Sequence, residues 1–159
     1  MKNSGRPRSK NNTMTTTMTS DPPVDLWRAS RMRLYEHPNR MALYDGWESR
    51  DGRWALIPCS NRASTERTGY GLRLLSCCGI NMGKFECHAD ATRASVEMIK
   101  IAEEIEAAFV PPSPGVPPKF LGDVAMLTAE MVRIIAACGG DAGMDYDAIV
   151  TAAGSEKAT

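Results

Sequence analysis

Five cysteines and two histidines are the side chains of this sequence best suited to nucleophilic or metal chemistry. Four of these residues stand close together, as Cys77-Cys78 and Cys87-His88, with Cys59 upstream. Thiolate and imidazole are the usual zinc ligands, and structural sites commonly space a cysteine pair by two to four residues. Here each pair is adjacent, and adjacent residues on a strand point to opposite faces. The spacing therefore favours packing, in which a free cysteine behaves as a small hydrophobe. A cysteine nucleophile would need His88 as its base and a third group to orient the ring. No nucleophile elbow, phosphate loop or zinc-protease signature supplies those roles, so the sequence reads as non-catalytic and implies no cofactor.

A second group of residues has the chemistry to hold an anion. Residues 60–71 form a polar, glycine-containing stretch with Arg62, Ser64, Thr65, Arg67 and Thr68. Small hydroxyls beside guanidinium groups satisfy phosphate or carboxylate oxygens through charge-assisted hydrogen bonds. These five are the expected ligand-binding residues. A rival set suits nucleic acid: Gly5-Arg6-Pro7-Arg8 resembles the core of an AT-hook, with Lys2 and Lys10 beside it. Arginine in such a segment is drawn to the narrow minor groove of A·T-rich DNA. Arg28 and Arg31, near Trp27, would extend that surface. A chance match in a basic segment is the favoured reading of so short a motif. Asp141, Asp145 and Asp147 do not match a calcium loop, and a helix cap explains the last two.

The formal charge is zero, but its distribution is uneven. Residues 1–20 carry +4, residues 21–84 carry +3 and residues 85–159 carry −7. The favoured reading is pairing of the basic part with the acidic part, within one subunit or between subunits. Aromatic residues are only 6% of the chain, so the core must lean on aliphatic side chains, alanine and methionine. No apolar run approaches the roughly 20 residues of a membrane helix. The polar N-terminus lacks an apolar leader region, and the odd cysteine count fits free thiols in a reducing cytoplasm. Met14 and Met18 are alternatives to Met1 as the native start.

Residues 1–20 are expected to be a disordered basic tail, 21–154 a single α+β domain and 155–159 a frayed end. Asp21-Pro22-Pro23 predicts a helix start, continued by the i, i+4 stripe of Leu26, Trp27, Ser30 and Leu34 and ended at His37-Pro38. Asp51-Gly52, between apolar runs that contain Trp47 and Trp54, predicts a hairpin. A second hairpin is expected from Leu72–Cys78 and Lys84–His88, turning at Gly79–Gly83. Ala94, Met98, Ile101, Ala102, Ile105 and Phe109 form the apolar face of one helix over 91–109, with Asp90 as its cap. Five prolines within 110–118 predict a stiff extended connector. A second helix follows Pro118 and ends at Gly139, and a third spans about 146–153. The expected fold is thus an N-terminal helix, a small antiparallel sheet of two hairpins, and two or three C-terminal helices on one face.

Together these features describe a small cytoplasmic accessory or regulatory protein of the kind carried by phages and mobile elements. It would act by occupying a protein partner or sequestering an anionic ligand such as a nucleotide. A thin sheet with an open face and complementary charge blocks predicts a homo-oligomer, and no membrane association is expected. The alternative is a DNA- or RNA-binding protein using the basic tail and the arginine-rich segment.

Overall fold

A computed structural model describes residues 21–37, 39–60, 67–122, 124–143 and 145–151. The chain opens with four long or medium strands, β1 (Trp27–Glu36), β2 (Arg40–Ser49), β3 (Trp54–Ser60) and β4 (Arg67–Leu74). A 3-10 turn at Leu75–Cys77 leads into β5 (Ile80–Phe85). Two helices follow, α1 (His88–Glu97) and α2 (Ile99–Ala108), then the short strands β6 (Phe109–Val110) and β7 (Lys119–Phe120). Helix α3 (Ala125–Ala137), strand β8 (Asp141–Ala142) and a helical segment at 145–151 complete the chain. The main sheet is antiparallel throughout, in the order β1-β2-β3-β4-β5-β8, and β6 pairs with β7. The α+β class is as expected, but the sheet has six strands, a β1–β5 meander with β8 added beside β5, rather than two hairpins.

The expected N-terminal helix is strand β1. Its i, i+4 stripe competes with a period of two, in which Met32 and Leu34 are buried and Arg31 and Arg33 are exposed. Pairing decides the contest. β1 and β2 pair over ten residues, and the register sets Arg28 opposite Glu48, Arg31 opposite Asp45 and Glu36 opposite Arg40. Opposite charges directly across a strand pair stabilise that register.

Strand β3 shows how the sheet is buried. Trp54, Ala55, Leu56 and Ile57 are all buried, so both faces are covered there. On the front, Trp54 and Leu56 join Tyr70, Leu72, Leu74, Ile80 and Phe85 beneath the helices. The helices answer with Ala94, Met98, Ile101, Ile105, Met131 and Ile135. On the back, Ala55 and Ile57 meet Met32 and Leu34 from the hairpin.

That contact exists because the β1–β2 hairpin bends. β2 joins β3 only at Trp47↔Leu56 and Glu48↔Ala55. Beyond them the hairpin crosses the back of the sheet as an arm and reaches the β4–β5 turn. There the Tyr35 backbone N–H donates to the Cys78 carbonyl at 2.6 Å. Arg73 donates to the carbonyls of Tyr35 (2.9 Å) and Gly79 (3.1 Å) and lies 4.8 Å from the Tyr44 ring centre. Gly46 sits at the bend because a Cβ there would run into the Leu56 carbonyl oxygen and lie 2.8 Å from Ile57 Cδ1.

Three further boundaries differ from expectation. The 91–109 helix starts earlier, at His88, and breaks at Met98. The Thr92 hydroxyl donates to the His88 carbonyl and the Ser95 hydroxyl to that of Thr92, a back-bonding that bends helices. The proline-rich stretch is a hairpin. Ser113 and Val116 exchange both backbone hydrogen bonds around Pro114-Gly115, where Gly115 has φ 77°. Proline followed by a glycine at positive φ is the signature of a type II turn. Helix α3 begins at Ala125 rather than after Pro118, so Leu121 and Ala125 are exposed.

Candidate binding surfaces

The expected anion-binding residues are only partly within the described chain. Arg62, Ser64 and Thr65 lie outside the described residues. Arg67 opens strand β4 opposite Ser60, and Thr68 is half-buried in the same strand, so neither belongs to a loop. A cleft of about 200 Å³ beside Thr68 is lined by Lys84, Phe85, Glu86, Gly139 and Asp141. The described lining of this cleft holds one ammonium, Lys84, and two carboxylates, Glu86 and Asp141.

The nucleic-acid set divides similarly. Lys2, Arg6, Arg8 and Lys10 lie outside the described residues. Arg28 pairs with Glu48 at 3.3 Å and Arg31 with Asp45 at 2.9 Å, each across the β1–β2 register. Their charge is matched within the hairpin. The pairing of basic and acidic segments is realised at Arg53, which reaches Glu106 on α2 at 3.1 Å.

The reactive residues are dispersed. Cys77 is buried, and burial pushes its thiol up to about 12, which disfavours the thiolate a nucleophile or metal ligand needs. Burial also raises Cys78. Cys87 caps α1, and His88, its first residue, meets the Tyr70 ring edge-on at 5.9 Å. Asp90 lies in the first turn and pairs with Arg93 at 3.6 Å. Among the described residues no group of three or more His, Cys, Asp and Glu side chains could hold a metal ion. No helix among them is long and apolar enough to cross a membrane.

A different surface emerges where the hairpin meets the helix layer. A groove of about 250 Å³ runs between the entry to β1, the β2–β3 turn and the α1–α2 junction. Trp27 and Trp54 line it and are almost fully buried. Around them stand Leu26, Val96 and Ile99, which are 50%, 61% and 37% exposed. The polar groups of the groove are committed inward. The Trp27 indole N–H donates to the Thr92 hydroxyl at 3.0 Å, joining hairpin to helix. The Ser49 hydroxyl donates to Asp51 at 2.6 Å and accepts from the Trp54 backbone N–H at 3.0 Å. Ser95 is tied to the Thr92 carbonyl, and Arg50 donates to the Val24 carbonyl at the rim. What the groove offers a ligand is therefore mainly apolar wall.

Sequence reasoning missed this surface. Val96 and Ile99 fall off the apolar stripe of the 91–109 helix, and that displacement was the one local signal. Nothing local connects them to Leu26, which is far away in sequence.

Comparison of the chain with family models, with curated proteins and with solved structures finds no match.

Proposed function

We propose that this chain is a non-catalytic accessory protein that occupies a protein partner, and that the groove over Trp27 and Trp54 seats an apolar side chain of that partner. The observation that carries this reading is the cluster of exposed Leu26, Val96 and Ile99 around a floor whose polar groups are already bonded. Exposed apolar side chains gathered in one concavity mark interaction sites more often than scattered ones do. At about 250 Å³ this groove is smaller than the roughly 300–1,000 Å³ usual for a small-molecule cleft, which suits one side chain of a polypeptide better than a whole nucleotide. The described lining of the cleft beside Thr68 carries more acid than base, which also favours this reading over an anion site there.

Selection from a displayed random-peptide library tests the reading. The expected result is enrichment of peptides with a bulky apolar anchor. Val96→Glu should weaken their binding about tenfold or more, as loss of an interface anchor does. Leu43→Glu, on an exposed part of the arm, should leave binding unchanged. Failure to enrich any peptide, or binding indifferent to Val96→Glu, would overturn the proposal.

A further inference from the structure

Helix α3 presents a second apolar surface, on the side turned away from the sheet. Met131, Ile134 and Ile135 are buried beneath it, while Ala129, Ala136 and Val132 are exposed. Met126 on the same side is 86% exposed, the highest value among the large apolar residues described. A solvent-facing helix surface normally carries charged residues. Here the exposed arc holds only one ion pair, Glu130 with Arg133, whose Nε–Oε1 distance is 3.0 Å.

We infer that this face of α3 packs antiparallel against α3 of a second copy of the chain. The occupant follows from the placement of the two charges. In a two-fold antiparallel pair centred midway between positions 130 and 133, each Glu130 falls at the height of the other copy's Arg133, on the same flank. The face is therefore its own electrostatic complement, as an isologous contact requires. The alanines at 129 and 136 let the helix axes approach closely, and Met126 reaches along the partner helix toward its C-terminal end. One face of a thirteen-residue helix is small beside the roughly 1,200–2,000 Å² that stable interfaces bury. The dimer is accordingly weak, concentration-dependent and sensitive to salt.

This inference does not depend on the groove, and charge reversal tests it separately. Sedimentation of the full chain over a wide concentration range should show a monomer–dimer equilibrium. Glu130→Arg puts two positive charges on the face, and Arg133→Glu puts two negative charges there. Each variant alone should dimerise about tenfold more weakly or worse. Mixed in equal amounts, the two should form a heterodimer, which also shows that both are folded. A wild-type monomer at all concentrations, single variants that dimerise like wild type, or a mixture that stays monomeric would each overturn it.

Discussion

The two faces of the sheet are sealed by unlike means. The front lies under three helices from the C-terminal half and shares one large cluster with them. The back lies under the sheet's own first hairpin, and its cluster has four buried residues, Met32, Leu34, Ala55 and Ile57. Polar satisfaction differs in the same sense. Arg73 Nε and Asn81 Oδ1 stand opposite each other in the β4–β5 register, and both are buried with no hydrogen-bond partner among the described residues. A buried polar atom without a partner costs about 1–3 kcal/mol. Regions with few buried apolar contacts open locally at lower free energy than the core. On this ground the arm is expected to open before the front face, although Trp27 and Tyr35 anchor the two ends of β1 in the large cluster.

Truncation on each face breaks or sharpens that contrast most strongly. Leu72 and Leu34 are both buried leucines, one on the front and one on the back. Leu72→Ala should lower global stability by about 4 kcal/mol, toward the upper end for such cavities. Leu34→Ala should cost about 2–3 kcal/mol, because the arm can settle over the gap. Denaturant unfolding measures the totals, and native-state hydrogen exchange locates them. In the Leu34 variant the amides of β1 and β2 should lose protection well beyond those of α1 and α3. Equal losses for the two variants, spread over the whole chain, would mean that the faces are one cooperative unit.

Acid should distinguish the faces more gently. The Tyr44 hydroxyl donates to Glu36 at 2.6 Å, and Arg40 also pairs with Glu36. These hydrogen bonds hold the Glu36 carboxyl below its ordinary range. The hydrogen bond from Arg31 does the same for Asp45. A depressed folded-state value means that the stabilisation is fully present above the ordinary carboxylate range. It is lost as pH falls through the folded-state value. Protection factors of the arm amides, taken against the intrinsic rate at each pH, should fall over that acid interval before those of the helices, and Glu36→Gln should flatten part of the dependence. The contribution is small because both carboxylates are exposed to solvent screening.

Legibility in the sequence followed the range of the interactions. The Asp51-Gly52 turn and the apolar stripe from Ala94 to Ile105 are set by residues near one another, and both appear where they were expected. Strand β1 is ambiguous in the sequence because helical and strand periods coincide at Leu34. The deciding partners, Glu48, Asp45 and Arg40, lie on another strand. The second turn lies earlier than expected, because Gly83 reads as a turn residue yet lies inside β5 opposite Leu72. Proline density predicted an extended connector, and the Pro114-Gly115 pair turned it back on itself. The chemistry of Arg62, Ser64, Thr65, Arg67 and Thr68 is legible locally, but the carboxylates Glu86 and Asp141 that the fold brings alongside Thr68 are not.

The groove lies on the seam between the two regions. Leu26 and Trp27 belong to the entry of the hairpin, and Val96 and Ile99 to the helix layer. A partner seated there would clasp the hairpin to the helix layer, so binding should also raise the stability of the folded chain. The most direct measurement is a chemical-shift map of the isotope-labelled protein during titration with a peptide from the library selection. The account predicts that the largest changes fall on the methyl groups of Leu26, Val96 and Ile99 and on the Trp27 indole N–H. Changes centred on the distal arm or on the outer face of α3, with the groove signals unmoved, would contradict it.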